Sequence, residues 1–387
     1  MAVIRRFAIV SPNFYPRVCG VGDHSARLAS ELRQRGHEAM AFSRQPVARH
    51  PEAPDLDVRG AEGDHPMSLA RRVAVAIHDY RPTDLLLQYT AQMWNTWRFG
   101  SPALVWLANQ ARRDGARVTL IAHELYVPWR VRPDLLAAAL LQRAQFASLI
   151  KICHQVFVTT ATRAALIAPA CRLLRVPAPR VMRVGPNAVP ITAARRPDGP
   201  AWSSGPRIGF FSTVTYGKRF DVVLGAFARL TPEFPAAELV IMGDLGPPNE
   251  PRVVAVLAEV EAHPARPRIR ITGKLALRDI AAEMSKLDLY LFPMNTGANT
   301  RSGTLPVALG SGVPVVTVHG IETDDGFFRD DENVAFARAL TAEAFTETSL
   351  RLLRDPVALR RIGEGGRQLY EAHISWPRIV DDLLAAG

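Results

Sequence analysis

Short apolar runs rich in β-branched residues recur along the chain, each separated from the next by a stretch with helical periodicity. In the first half they fall at 4–10, 39–42, 85–88, 118–122 and 156–159, with helical patterns such as 25–35 and 102–113 between them. Strands that are apolar throughout, not alternately, must be covered on both faces, and helices between them supply that cover. The pattern predicts a doubly wound α/β domain. It then restarts, with runs at 208–211, 239–242, 269–272, 289–292 and 313–317 and helices at 222–230, 253–262, 277–286 and 305–310. A single core does not accommodate 387 residues; two domains do.

The two series meet at "AVPITAARRPDGPAWSSGP", which is rich in Pro, Gly, Ser and Ala and lacks periodicity. The expected organisation is an N-terminal domain over 1–190, a linker at 191–205, a second domain over 206–365, and a C-terminal helix at 366–387 that packs back on the first domain. Ligands of such folds bind at the C-terminal ends of the strands, so a cleft between two Rossmann-like domains is the expected site.

Charge narrows the partners. The 47 Lys and Arg residues outnumber the 37 Asp and Glu, giving a net charge of +10 and a pI near 10.0, which favours nucleotides, phosphoryl groups or an anionic membrane surface. Nucleic acid is not an expected partner. The only lysines are Lys151, Lys218, Lys274 and Lys286. Cys19, Cys153 and Cys171 are widely spaced and odd in number, so they form neither a disulfide framework nor a zinc pattern. A reducing cytoplasm is the expected compartment, and no metal site is readable. The N-terminal run is too short for a signal peptide. The most apolar stretch, from Leu135 to Val158, is interrupted by Arg143 and Lys151; it reads as a buried helix, with an interfacial helix on basic anchors as the other reading.

Three loops at predicted strand ends carry chemistry. After the first strand, Gly20 and Gly22 precede Asp23, expected to cap the next helix, and would let backbone amides approach an anion or sugar. Lys218 lies between a strand and a helix of the second series, where a compact cation meets phosphate. The stretch "PMNTGANTRSGTLPVALGSGVPVV" from Pro293 follows a strand with a polar loop and a helix beginning near Thr304. The amides of Ser302, Gly303, Thr304 and Leu305 are therefore expected to point at an anion. The acidic "DLD" at 55–57 reads as a solvated loop.

In order and spacing these pieces resemble a retaining GT-B glycosyltransferase of the family-four type over nearly the whole chain. "GVGDHSARLASELRQRGHEAMAF" is similar to the family's glycine loop and helix, "IAHELY" to its histidine loop, and "VGPNAVP" to its domain junction. "KRFDVVLGAFARL", "LVIMGD", "ITGKLALRDIAAEMSKLDLYLFP" and "GSGVPVVTVHG" resemble the lysine loop, the following strand, the base-binding turn and the end of the diphosphate segment. The resemblance implies a UDP- or GDP-sugar donor on the second domain, an acceptor (glycan, lipid or small molecule) on the first, and no cofactor or metal. It implies that Lys218 meets the diphosphate with the amides of Ser302, Gly303, Thr304 and Leu305. Gly273, Lys274 and Leu275 would lie near the base, Gly20 and Gly22 near phosphate or sugar, and His123 near the transferring sugar.

The chain departs from the family where two glutamates eight positions apart are usual: Asn299 and Val307 occupy those places. Asn299 could still bond a sugar hydroxyl, and Arg301 could supply the phosphate contact of an arginine that is replaced around Ser212 and Thr213. Retaining chemistry of this kind runs on one face of the sugar, with the leaving diphosphate taking the acceptor proton. The expected function is sugar transfer from a nucleotide donor, in the cytoplasm, with peripheral contact to the inner membrane face. The alternative is a GT-B-like binding or partner protein that lost catalysis with its glutamates. An epimerase would need acid and base carboxylates that cannot be placed in this chain, and a dinucleotide dehydrogenase a G-x-G-x-x-G that its first loop lacks.

Overall fold

The computed structural model describes residues 3–15, 19–44, 49–50, 53–61, 65–94, 99–129, 132–192, 205–215 and 217–386. The chain forms two compact units, Met1–Val184 with Trp376–Gly387, and Gly185–Ser375.

The first unit is built on a parallel sheet. Its elements run β1 (Arg6–Val10), α1 (Gly20–Gln34), β2 (Glu38–Ser43), β3 (Asp57–Gly60), α2 (Pro66–Tyr80), β4 (Asp84–Tyr89), α3 (Pro102–Arg113), β5 (Arg117–Ala122), α4 (Pro133–Ile152), β6 (Gln155–Val158), α5 (Ala161–Leu173) and β7 (Arg180–Val181). The strand order is β3-β2-β1-β4-β5-β6-β7. Every residue of β4 is buried, as continuous apolar strands require when both faces are covered. Helices α2 to α5 pack one face around Leu69, Leu104, Phe146 and Ile167. α1 covers the other face together with α12 (Trp376–Leu384), whose Trp376, Ile379, Val380 and Leu383 join the core of Phe7, Ile9 and Leu28.

The second unit runs β8 (Arg207–Phe211), α6 (Phe220–Leu230), β9 (Glu238–Met242), α7 (Pro251–Glu261), β10 (Ile269–Ile271), α8 (Leu277–Met284), β11 (Leu289–Phe292), α9 (Leu305–Gly310), β12 (Val315–Val318), β13 (Ala335–Ala337), α10 (Ala342–Arg354) and α11 (Pro356–His373). Its parallel sheet has the order β10-β9-β8-β11-β12-β13. Proline starts α2, α3, α4, α7 and α11, where its missing N–H costs nothing.

Several expectations need correction. The helix after β1 starts at Gly20, not at residue 25, so both glycines are inside its first turn. Cys19 occupies the cap position and Asp23 lies in the first turn, where its carboxylate meets the positive helix end and His50 Nε2 at 3.2 Å. Asp57 is exposed as expected, but it opens edge strand β3, whose mostly exposed, charged sequence carries no apolar signal. The second unit begins earlier than residue 206, because Ala188 is buried in its core. Helix α11 also belongs to this unit, and only the segment from Trp376 returns to the first. The linker read at 191–205 lies almost wholly outside the described residues.

Candidate functional site

In each sheet one strand has neighbours whose connections leave in opposite directions. For the first unit this switch point lies between β1 and β4, and for the second between β8 and β11. Ligands of open α/β sheets bind beyond the strand ends at such points. Lys218 and the loop from Pro293 follow β8 and β11, and Gly20 and Gly22 follow β1, whereas Gly273, Lys274 and Leu275 follow the edge strand β10.

In the second unit the loop after β8 is tied to the loop after β11 by a bridge between Lys218 and Met294, supported by Asn295 N donating to Gly217 O at 2.9 Å and Arg219 N to Pro293 O at 3.1 Å. Lys218 is partly buried, and desolvation lowers its pKa to about 8. The adjacent cation is neutralised: Arg219 holds Asp221 at 2.6 and 2.8 Å. Among the described residues no carboxylate does the same for Lys218. A partly desolvated ammonium at such a strand end gains from an anionic neighbour, which would favour its charged form.

Gly273 closes the neighbouring strand end, bridged to Gly243 beyond β9. It has a positive φ of 65° and open space where a side chain would stand. Lys274 is exposed beside it and Leu275 partly buried.

The "TRSGT" loop is more constrained than its sequence shows. Ser302 Oγ and Thr304 Oγ1 bond each other at 2.9 Å, and Thr304 N reaches Ser302 Oγ at 3.4 Å. Leu305 opens the six-residue α9, in whose first turn Pro306 has no amide and Val307 N already donates to Thr304 O at 3.2 Å. At Gly303 an added Cβ would overlap the side chain of Asn187, while Asn187 N donates to Gly303 O at 2.9 Å. A side chain at this position would have to displace the Asn187 amide, apart from any ligand.

Asn299 and Arg301 are placed differently from expectation. Asn299 is buried. Its Nδ2 donates to Thr296 Oγ1 at 3.0 Å and Gly297 O at 2.9 Å, and its Oδ1 accepts from Arg301 N at 3.1 Å. Both of its N–H groups are spent folding the loop, so it staples the backbone and is not poised for a sugar hydroxyl. Arg301 is ion-paired with Glu322, which answers its charge in place of a phosphate. Val307 is wholly buried in the core. Glu322 was missed because it comes from beyond β12; its backbone N donates to Thr296 O at 3.0 Å. Gly297, at φ +81°, lets this segment pass, since a Cβ there would overlap Gly320.

In the first unit His123 follows β5, with its N–H bonded to Tyr89 O at 2.9 Å and its Nε2 to Gln88 Oε1 at 2.6 Å. Arg163 Nη1 donates to His123 O at 2.6 Å. The His24 ring packs against His123 and against Trp376, both at 5.0 Å between centroids. Burial lowers the His24 pKa to about 4, and among the described residues neither ring nitrogen has a hydrogen-bond partner. Gly22 is packed so tightly that a Cβ would lie 2.6 Å from Asn13 O, whereas Gly20 is exposed with open space beside it. Only Gly20 fits the expected approach to a ligand. His24 could have been found from its 24, 28, 32 spacing with Leu28 and Leu32 on the buried face of α1, and Gln88 as a polar residue directly after the apolar run Leu85–Leu87. Among the described residues no group of three or more His, Cys, Asp or Glu could hold a metal ion.

The fold places the chain among GT-B structures. A glycosyltransferase from Rickettsia africae shares 13% identity over 99% of this chain and 97% of its own, with a TM-score of 0.73. HepE of Anabaena, solved with UDP and glucose, shares 13% over 99% and 100% with a TM-score of 0.72. Sucrose-phosphate synthase from Thermosynechococcus elongatus shares 14% over 99% and 100% with a TM-score of 0.71. At these identities the likeness is one of fold. Residues 205–355, all within the second unit, match the family model described as Glycosyl transferases group 1. No curated protein matches the chain in sequence.

Proposed function

We propose that the protein moves a sugar from a nucleotide-diphosphate donor, a UDP- or GDP-sugar, to an acceptor hydroxyl with retention of anomeric configuration and without a metal. Lys218 carries this reading. Its ammonium is desolvated, has no carboxylate partner among the described residues, and lies at the switch point of the unit that matches a glycosyltransferase family model. The diphosphate would meet Lys218 and the amides from Ser302 to Leu305, with the base near Gly273, Lys274 and Leu275. As the bond from the anomeric carbon to the diphosphate breaks and that to the acceptor oxygen forms, the acceptor proton passes to a diphosphate oxygen. Fixed positive charge and amide dipoles stabilise the leaving group without reorganisation. The first unit's strand-end crevice, with Gly20 and His123, would take the acceptor. The cytoplasm is the proposed compartment, since all three cysteines are free.

Thermal stabilisation by nucleoside diphosphates in the presence of a chelator tests the donor site, because only a ligand of the folded state raises the transition. Stabilisation by none, or only with added Mg²⁺, counts against it. NMR of the glycosidic product tests retention, and an inverted product overturns it. The commitment of Asn299 to its own loop and the burial of Val307 favour a second reading, a sugar-nucleotide binder without turnover. Donor binding with neither transfer nor hydrolysis would establish that reading.

A further inference from the structure

From Leu135 to Pro197 the chain contains no Asp or Glu, although Arg143, Lys151, Arg163, Arg172, Arg175 and Arg180 all fall in that span. The same segment folds into α4 and α5. Both helices contribute to one core layer on one face of the sheet, through Phe146, Leu149 and Ile150 of α4 and Ile167 and Cys171 of α5. Their opposite faces are apolar too, and they are exposed.

On α4 the outward stripe carries Leu136, Leu140 and Leu141, exposed by 42%, 54% and 51%; on α5 it carries Leu166 and Leu173, exposed by 59% and 83%. Ala165, Pro169 and Ala170 complete the exposed face of α5. Every leucine that is exposed among the described residues is on one of these two helices. A helix apolar on all sides belongs in a core or against lipid, and here one side is already in the core. Trp129, exposed by 56% just before α4, is held by the Arg143 guanidinium, which lies 4.0 Å from the centroids of both Trp129 and Tyr126. Lys151, Arg172, Arg175 and Arg180 are exposed around the leucines.

Helix α4 is long and apolar enough to cross a bilayer by length and composition. Its packing argues for lying on a surface instead. Gln142 Oε1 accepts from Val127 N at 2.8 Å, and Gln145 Nε2 donates to Tyr89 OH at 3.1 Å, so one face is fixed by polar bonds to the loop after β5 and to β4. We propose that the outer faces of α4 and α5 form a docking surface for an anionic lipid bilayer. The leucines and Trp129 enter the acyl boundary while the exposed cations meet the headgroups. The acid-free segment selects this occupant: a second copy would bring the same positive charge against itself, and a neutral apolar partner would leave the basic rim without a role.

The test is co-sedimentation with vesicles of phosphatidylcholine alone and of its equimolar mixture with phosphatidylglycerol. The full-length protein is expected to bind the mixed vesicles, to leave the neutral ones mostly in solution, and to release in high salt. Each basic residue near an anionic surface contributes about fivefold in partitioning, so Arg172→Gln with Arg175→Gln should weaken binding by roughly 25-fold. Leu140→Glu, Leu166→Glu and Leu173→Glu together should weaken it by at least about tenfold. Both variants change exposed residues and should keep the parent's thermal transition; that check separates lost docking from lost fold. Absence of vesicle binding, equal binding to both compositions, or parental binding by either variant would overturn the proposal. So would a dimer in light scattering that the leucine variant dissolves, without vesicle binding by the parent, since the face would then join two copies.

Discussion

Arg301 Nη1 meets the Glu322 carboxylate at 3.1 and 2.8 Å across 21 residues of chain, a pair that joins the loop after β11 to the segment after β12. If the pair serves architecture, Arg301→Ala and Glu322→Gln should each lower stability. The double variant should be no worse than the poorer single one, with a coupling of about 0.5–2 kcal/mol. Diphosphate affinity should change less than about threefold, well short of the loss of a charge-assisted contact. Chemical denaturation and titration calorimetry on the three variants check this. A large affinity loss in Arg301→Ala alone would return Arg301 to the phosphate.

Lys218 should make diphosphate binding pH-dependent. Its pKa in the free protein is about 8, and an anion favours the charged form, so binding takes up a proton. Affinity should be level below pH 8 and fall up to tenfold per unit above it. Lys218→Met should lose about 10 to 150-fold in affinity and the pH dependence with it. Stability has the opposite sign. Between about 8 and the ordinary 10.5 the unfolded chain binds the extra proton, so the parent gains stability as pH rises through that window. At pH 7 Lys218→Met should therefore melt about 2–4 °C higher. Calorimetry in buffers of different ionisation enthalpy reads the proton uptake directly.

His24 should make the first unit acid-sensitive. Its folded pKa of about 4 lies below the ordinary 6.5, so the unfolded chain binds more protons between those values. Stability is complete above pH 6.5 and falls by up to about 3 kcal/mol as pH drops to about 4. His24→Phe keeps a ring between His123 and Trp376 and should flatten that dependence. Urea unfolding at neutral and acidic pH compares the two; parallel curves would mean that His24 is charged in the folded protein.

Gly303 and Asn187 should behave as one packing unit. Gly303→Ala forces a methyl group into the Asn187 side chain and should cost about 1–3 kcal/mol. Asn187→Gly in the same chain should restore much of it. Diphosphate binding measured in the rescued double variant then reports on the loop amides without the clash. Additive losses would show that the two side chains do not share the space.

The alternation of apolar runs and helical stretches determined two doubly wound sheets, because a strand covered on both faces needs an uninterrupted apolar sequence. The strands that escaped are those without that demand: edge strand β3 is mostly exposed, and β7 and β13 have two and three residues. Lys218 was legible as a polar residue at a predicted strand end, and His123 through the likeness of "IAHELY" to a family loop. What the sequence could not contain is adjacency at long range. That Arg301 finds Glu322, that Gly303 lies against the Asn187 side chain, that Asn299 spends its amide on its own loop and that His24 is sealed between His123 and Trp376 all follow from tertiary packing. Side-chain chemistry is set residue by residue, whereas the partner that satisfies or withholds a charge is chosen by the fold. The exposed leucines of α4 and α5 show the same division: their apolar character is plain in sequence, but only the packed sheet decides which faces remain outside.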